Sequence, residues 1–194
     1  MCRFYVKNYR LFDGDGDRLE EEQLDWQYTV NRTWGGQTLD AASHSVVTVS
    51  LDDVWIEVSI DAPFNGDPRP KAPAGSTWEL WEHEVVELFL LGTDEQYLEV
   101  ELGPHGHHLI LTLKGVRNIV SRHAEITYQT TLGDARWSGV ARLPRSLLPP
   151  GPLRANAFRI TGPGSTRGYY ATYPSTGAQP DFHSLETYRP LQWS

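Results

Sequence analysis

Alternation of apolar and polar residues is the feature that most restricts how this chain can fold. In residues 26–30, and again in residues 54–58, every second side chain is apolar. Such alternation is typical of β-strands that bury one face and expose the other. The apolar run 46–51 is separated from the second of these strands by Asp52-Asp53. This spacing predicts a β-hairpin.

Three further strands are predicted in the most apolar part of the chain. They cover residues 84–91, 97–102 and 109–113, and only short turns with Gly and Pro separate them. Short connections join neighbouring antiparallel strands, so the region is predicted to form a meander. Other strands are expected at residues 125–131, 135–142, 156–161, 168–173 and 188–193.

Segments that break the strand pattern complete the picture. Residues 61–75 hold four prolines and two glycines, which predicts a surface loop. Pro144–Leu148 is predicted to make one helical turn. Because no segment has a long helical period with caps, the chain is expected to be an all-β protein.

The length of 194 residues, 39% of them hydrophobic, suits one large β domain, which we place at residues 25–194. Residues 1–24 are acidic, and we expect them to form a mobile leader. Asp13-Gly14-Asp15-Gly16-Asp17 has the spacing of a calcium loop, but Leu24 stands where an EF-hand needs a bidentate Glu. A solvated turn is the favoured interpretation, with a structural calcium as the alternative.

Charge and cysteine content limit the partners. The formal net charge of −8 argues against a nucleic acid or an anionic membrane as partner. Cys2 is the single cysteine, so neither an internal disulfide nor a multi-cysteine zinc site is possible. The sequence shows no run of signal-peptide or membrane-span length, which leads us to expect a cytoplasmic protein.

Two ordered motifs carry a resemblance to known proteins. Residues 81–89 read Trp-Glu, four residues, then Glu-x-Phe, and residues 97–106 read Tyr-x-Glu, four residues, then Pro-x-Gly. In these the chain resembles the family 9 carbohydrate-binding modules. It is still more similar to a family of uncharacterised small proteins with the same motifs and a late Tyr-Pro and Pro-Asp-Phe-His, here near residues 173–183. The resemblance implies an antiparallel β-sandwich of jelly-roll type.

The resemblance also implies a binding site. In the sugar-binding relatives the aromatic residue that opens the first motif stacks on a sugar face, and the acidic residue six positions later binds hydroxyl groups. Here those positions are Trp81 and Glu87, and Tyr170 or Tyr173 is a candidate for a second aromatic wall. Trp81 as a core or rim anchor is the alternative.

Glu87 also has a structural interpretation. It lies in a strand that is apolar at nearly every other position, so its carboxyl is expected to be partly desolvated. A desolvated carboxylate needs a partner, and an ion pair with Arg142 or Arg159 is slightly favoured over a binding role.

Tyr97, Glu99 and Glu101 are expected on one face of their strand, because alternate residues point the same way. Such a face could hold a polyol through its carboxylates. The same carboxylates could act as an acid/base pair, as in glycoside cleavage. An ordinary solvated sheet face is the alternative to both.

Histidines near one turn raise the question of a metal. His105, His107 and His108, with His83 and Glu99, have the side chains that zinc or nickel prefers. Ordinary exposed histidines are the favoured interpretation, and apart from the possible calcium no cofactor or metal is expected.

The late motif also contains residues that could form a hydrolytic triad. Asp181 and His183 could orient each other beside Ser175 or Ser184. No nucleophile elbow surrounds either serine, so a capping or packing role for this loop is favoured.

Together these patterns predict a binding module for a carbohydrate or another polyhydroxylated small molecule. The predicted ligand-binding residues are Trp81, Glu87, Tyr97, Glu99, Glu101, His105, Tyr173 and His183. An enzyme that uses Glu87, Glu99, His105 and His183 is the first alternative, and no catalytic residue is assigned. A protein-interaction domain with an exposed aromatic patch and no cavity is the second.

Overall fold

The computed structural model describes residues 3–12, 18–175 and 177–191, with side chains from residue 25 onward. Within this part of the chain, helical structure is limited to short 3-10 turns. The strands, in chain order, are β1 (Arg3–Phe12), β2 (Arg18–Val30), β3 (Arg32–Thr33), β4 (Ser45–Leu51), β5 (Trp55–Pro63), β6 (Gly75–Ser76), β7 (Val85–Leu91), β8 (Gln96–Leu102), β9 (His107–Lys114), β10 (Ile119–His123), β11 (Thr127–Leu132), β12 (Arg136–Pro144), β13 (Arg154–Thr161), β14 (Gly168–Ala171) and β15 (Arg189–Pro190).

The strands form two sheets. Sheet 1 has the order β1-β2-β4-β5-β12-β11, and sheet 2 has the order β10-β9-β8-β7-β13-β14-β3. In addition β15 pairs with β13, and β6 pairs with β9. The β6–β9 pair is parallel, and the other pairs between named strands are antiparallel. The predicted all-β, antiparallel sandwich is confirmed.

The main core lies between the two sheets. Sheet 1 contributes every second residue of β4, β5 and β12, and of β2 from Trp26 onward, including the fully buried Trp26, Val58 and Trp137. Sheet 2 contributes aliphatic side chains of β7 and β8, such as Leu88 and Val100. The alternation in the sequence therefore marks the residues that hold the sandwich together. Each fully buried aliphatic side chain contributes about 1.5–3 kcal/mol.

Sheet 2 is covered on its outer face as well, and this second layer positions the candidate site. Every residue of β7 is buried, and a second apolar cluster lies on the side away from sheet 1. Phe89, Leu111 and Phe158 supply it from the sheet, while Leu80 and Phe182 come from the segments around residues 77–83 and 174–188. These two loop segments leave a cavity above the centre of sheet 2.

Most predicted strands are found close to their expected bounds. The hairpin is β4–β5, the meander is β7–β8–β9, and the helical turn near residue 145 is a 3-10 turn, Arg145–Leu147. Two bounds differ. Of the predicted strand at 188–193, the described part, which ends at residue 191, contains the two-residue β15, and β5 extends to Pro63, into the expected loop. In both places pairing with a neighbouring strand sets the bounds.

Strands also occur in the stretch that was expected to be a leader. β1 pairs along its length with β2, which begins at Arg18. The division at residue 25 and the mobility of residues 1–24 stay predictions. The proposed calcium loop at residues 13–17 lies outside the described residues.

Candidate ligand-binding site

The outer face of sheet 2 presents three glutamates from two neighbouring strands. Glu87 of β7 lies directly opposite Glu101 of β8, and Glu99 lies opposite Phe89. Alternate residues of a strand share one side of a sheet, so these glutamates share their face with Tyr97. Directly opposed residues have their Cβ atoms about 5 Å apart. The three carboxyl groups therefore form one cluster.

These carboxyls are buried, and burial makes them hold protons unusually tightly. The exposed fraction is 3% for Glu87, 4% for Glu99 and 0% for Glu101. Desolvation raises the pKa of Glu99 to about 7. It also raises the pKa of Glu87 and of Glu101 well above the ordinary value, and charge on the neighbouring carboxylates adds to both rises. Because the pKa of Glu99 is about 7, this carboxyl is present in both protonated and ionised forms at neutral pH, so the cluster can both donate and accept hydrogen bonds.

A cavity of about 390 Å³ opens on this face. Glu87 and Glu99 line it from the sheet, and Arg117, Asp181 and His183 add polar groups from the β9–β10 turn and the loop after β14. Its volume is within the range of small-molecule sites, which is roughly 300–1,000 Å³.

Aromatic rings form much of the remaining wall of the cavity. Trp78 and Trp81 both line it, with ring centroids 5.2 Å apart and planes at 79°. Trp81 lies in the 3-10 turn Leu80–Glu82, and the fully buried Leu80 anchors that turn on the sheet. Tyr169 of β14 and Phe182 also line the cavity. The cavity thus combines aromatic faces with buried carboxyls.

A second depression adjoins the cavity. It has a volume of about 410 Å³ and shares Trp81, Ile160 and Tyr169 with the cavity. Arg167 lines this side groove, and its guanidinium donates hydrogen bonds to the backbone carbonyls of Trp81 and Glu82. Arg167 therefore fixes the turn that carries Trp81. The side groove gives a ligand room to extend beyond the main cavity.

A hydrogen-bond network fixes the loop that carries His183. The Tyr97 hydroxyl lies 2.8 Å from His183 Nδ1 and accepts a hydrogen bond from the Arg117 backbone N–H at 3.0 Å. The Arg117 guanidinium pairs with the Asp181 carboxylate at 2.7 Å. Arg117 has a left-handed backbone with φ of 56°, a conformation that is uncommon without glycine.

His183 is neutral at physiological pH. Burial lowers its pKa to about 4, and the positive charge of Arg117 lowers it further, whereas Asp181 opposes the shift. Since the Tyr97 oxygen already accepts from Arg117, its own O–H is free to donate to Nδ1. His183 can then carry its proton on Nε2.

Several residues predicted to bind ligand meet at the cavity, and others do not. Trp81, Glu87, Glu99 and His183 line it. Tyr97 and Glu101 are buried beside these residues but do not line the cavity. His105 lies elsewhere, with its ring edge-on to Phe64 at 5.7 Å. The spacing of the motif alone does not show that the turn after β8 points away from the cavity.

The expected second aromatic wall is shifted by one residue. Tyr170 faces the inter-sheet core, where the Arg159 guanidinium lies 4.4 Å from its ring centroid. Tyr173 also packs against that core. Tyr169 reaches the cavity instead, because it is the neighbour of Tyr170 and points to the opposite side of β14. The phase of a four-residue strand is hard to assign from sequence.

The predicted ion pair of Glu87 with Arg142 or Arg159 is wrong. Arg142 lies in sheet 1 and pairs with Glu57 at 2.7 Å. Arg159 is next to Phe158, the cross-strand partner of Glu87, so it points to the other side of sheet 2. There its guanidinium donates to Ser45. The Oε1 atom of Glu87 has no hydrogen-bond partner among the described residues.

The histidines around residue 105 point in different directions. His107 Nε2 bonds to the Ala72 carbonyl at 2.9 Å, and His108 Nε2 to that of Ala124 at 3.3 Å. Within the described residues no three His, Cys, Asp or Glu side chains are grouped as a metal site requires.

The residues of the considered triad do not act together. Asp181 accepts the backbone N–H of His183, while the His183 ring bonds to Tyr97. Ser175 accepts a backbone N–H from Gly177. The loop thus has the packing role that the sequence favours.

Sequence reasoning missed Trp78, Arg117 and Tyr169 as cavity residues. Trp78 is 45% exposed and stands three residues before Trp81. Its position three residues before the aromatic residue that opens the motif is the signal that the sequence contains. Arg117 and Tyr169 come to the site through the fold, from a turn and from the four-residue strand β14.

Comparison with solved structures identifies the class of fold. A candidate carbohydrate-binding protein from Bacteroides uniformis matches with a TM-score of 0.66 and 14% sequence identity, over 84% of each chain. A family 9 carbohydrate-binding module from Caldicellulosiruptor kristjanssonii, in complex with cellotriose, matches with a TM-score of 0.40 and 14% identity, over 75% of this chain and 69% of that one. The first match shows that the two proteins share this β-sandwich fold.

Comparison with curated proteins gives the family. The human UPF0462 protein C4orf33 is 38% identical over 178 residues, which cover 86% of this chain and 88% of the relative. The rat and zebrafish homologues are 38% and 35% identical, over 86% and 84% of this chain. The chain belongs to the UPF0462 family. No family model matches it. No helix in the described residues is long and apolar enough to cross a membrane.

Proposed function

We propose that the protein binds a carbohydrate or another polyhydroxylated small molecule in the main cavity. One observation carries this proposal: Trp78 and Trp81 line the same cavity as the buried carboxyls of Glu87 and Glu99. A sugar ring offers an apolar C–H face to an aromatic ring and hydroxyl groups at its edge to polar groups. The fold of the Bacteroides protein is consistent with this proposal.

The chemistry of the carboxyls also suits hydroxyl groups. A protonated carboxyl donates one hydrogen bond and accepts others, as a sugar hydroxyl does. Because Glu87 and Glu99 hold protons tightly, the site can bind a neutral ligand without burying an uncompensated charge. His183, neutral and fixed by Tyr97, adds a further polar group to the wall.

Titration calorimetry against a panel of mono- and oligosaccharides tests the proposal. We expect binding to at least one sugar, and we expect Trp81→Ala to weaken it about tenfold or more, which corresponds to about 1.4 kcal/mol. Trp55→Ala is the matched control, because Trp55 is 41% exposed and lies on β5 of sheet 1. No binding across the panel would contradict the proposal, as would equal affinities for Trp81→Ala and the parent protein.

An enzyme that uses the same cavity is the second candidate. It is favoured by the pKa of about 7 for Glu99, since a general acid or base works best with a pKa near the operating pH. His105 lies outside the cavity, so only Glu87, Glu99 and His183 of the expected set would take part. Turnover of a nitrophenyl glycoside that is lost in Glu99→Gln would select the enzyme over the binding module.

A further inference from the structure

The carboxyl cluster has unused hydrogen-bonding capacity that faces the cavity. Glu87 Oε1 is buried and has no hydrogen-bond partner among the described residues. Glu99 beside it shares a side-chain hydrogen bond with Glu101. Both Glu87 and Glu99 are more than nine-tenths buried and both line the cavity. Leaving the Glu87 oxygen without a donor costs about 1–3 kcal/mol. A ligand that brings donors to this place recovers that cost.

The nearby guanidinium groups do not serve as those donors. Arg117 pairs with Asp181, and Arg167 donates to the carbonyls of Trp81 and Glu82. Their positive charge lowers the pKa of the glutamates, but desolvation is the larger effect. The cluster therefore lacks a bonded cation of its own among the described side chains.

The aromatic rings around the cluster suit a cation as well as a sugar face. Trp78, Trp81 and Tyr169 line the cavity, and the faces of such rings attract an ammonium group within about 6 Å. An ammonium group has three N–H donors and no acceptor. It can bond to the Glu87 and Glu99 carboxyls at once and keep contact with a ring.

We infer that the natural ligand is an amino sugar or a similar amine-bearing polyol, whose ammonium group is bound by Glu87 and Glu99 while its ring stacks on Trp81. This inference rests on the proposed function and narrows it to one class of ligand. Hydrogen bonds between an ammonium and a carboxylate are about twice as strong as neutral ones. The site is accordingly expected to prefer an amino sugar over the neutral sugar of the same ring.

Binding of an ammonium group should release a proton from the protein. In the empty site Glu99 has a pKa of about 7, with Glu87 and Glu101 raised further beside it. The bound ammonium favours the charged carboxylate, so a glutamic acid gives up its proton to solvent and an ammonium–carboxylate pair remains. The other charged groups that face the glutamates are Arg117, which is paired with Asp181, and Arg167. His183 is neutral in this range, because its pKa is lowered to about 4.

Calorimetry with matched sugars tests the inference. Glucosamine, glucose and N-acetylglucosamine share one ring and differ in the amine, and the galacto and manno series extend the set. We expect the amino sugar of the bound series to bind about tenfold or more tightly than its two neutral analogues. We also expect its affinity to rise from about pH 6 to pH 7, where Glu99 ionises. Titration in two buffers of different ionisation enthalpy should show release of up to about one proton per ligand.

Two variants identify the carboxyls responsible. Glu87→Gln and Glu99→Gln keep the side-chain shape, and each should reduce the preference for the amino sugar to within about twofold. Glu57→Gln, on sheet 1 and paired with Arg142, is the control and should leave the preference unchanged. Thermal unfolding of each variant verifies that it is folded.

The outcomes separate the inference from the proposed function. Equal affinity for the neutral and amino sugars, or a preference that survives both variants, overturns the inference and leaves the binding module in place. If no sugar of the three series binds, both the inference and the proposed function are overturned.

Discussion

The properties of a glutamate in this protein depend on its surroundings. Glu57 and Glu101 both lie in strands, but Glu57 pairs with Arg142 at the surface and Glu101 is fully buried. Glu101 lies beside Glu87 and Glu99, and burial, together with the charge of these two carboxylates, raises its pKa well above the usual value. A carboxyl of this kind weakens the folded state whenever it must ionise.

Glu101→Gln should therefore stabilise the protein increasingly as the pH rises. The pKa of Glu101 is raised by folding, so the folded state holds a proton that the unfolded state loses above about pH 4.5. Across that range the parent protein loses up to about 1.4 kcal/mol per pH unit on account of this group. The variant lacks this dependence. Urea unfolding of both proteins at about pH 4, 6 and 8 measures the difference in unfolding free energy, and a difference that is constant with pH would contradict the assignment.

The same reasoning explains what the sequence could say about the site. The resemblance to the carbohydrate-binding modules points to Trp81 and Glu87, and alternation places Glu99 with Glu101, so these residues can be named without a structure. His105 belongs to the same motif, but the turn after β8 directs it toward Phe64. Arg117 and Asp181 are 64 residues apart, and only the fold brings them together.

Among the elements, β7 shows how a strand can reveal a second layer. Its side chains are buried on both faces, and its sequence is apolar almost throughout. A strand of a simple two-layer sandwich alternates instead, as β12 does. A continuous apolar run such as that of β7 is typical of a strand that is covered on both faces. It does not show which segments cover the outer face.

Phe182 packs the loop after β14 against sheet 2 and adds to the hydrogen bonds that hold this loop. Phe182 stacks on Phe158 with centroids 4.1 Å apart and planes at 11°, and its carbonyl accepts the Tyr188 hydroxyl at 2.7 Å. Because Phe182 is buried and also lines the cavity, it couples the loop to the site.

Phe182→Ala should destabilise the protein by about 3 kcal/mol, in the range of buried phenylalanine truncations, and should weaken sugar binding. Leu132→Ala on β11 is the control, since Leu132 is 44% exposed and such a change is usually worth less than about 0.5 kcal/mol. Thermal and urea unfolding give the stability, and calorimetry gives the affinity. An unchanged stability would show that the loop is not held by this residue.

At the scale of the whole molecule, the fold class was accessible from the sequence because it depends on many residues at once. The alternation of β2, β4 and β5 recurs often enough to define an antiparallel sandwich even where single bounds are off. The cavity depends on a few contacts between distant segments, around residues 77–83 and 174–184, and on the phase of a four-residue strand. Because the cavity depends on so few contacts, an error of one residue in the phase of β14 is enough to place Tyr170 in the site instead of Tyr169.

The tryptophans of the sandwich lie in different surroundings, and their indole N–H signals can be followed separately. Trp26 and Trp137 are buried between the sheets, Trp55 is exposed on sheet 1, and Trp78 and Trp81 line the cavity. Each indole N–H gives a separate signal in a nitrogen–proton correlation spectrum, and single Trp→Phe variants assign the signals.

Titration of the labelled protein with the sugar panel, followed through these indole signals, tests the central claim most directly. The cavity account predicts that a bound sugar shifts the signals of Trp78 and Trp81, and leaves those of Trp26, Trp137 and Trp55 in place. A spectrum that no sugar changes, or changes confined to Trp55, would contradict it.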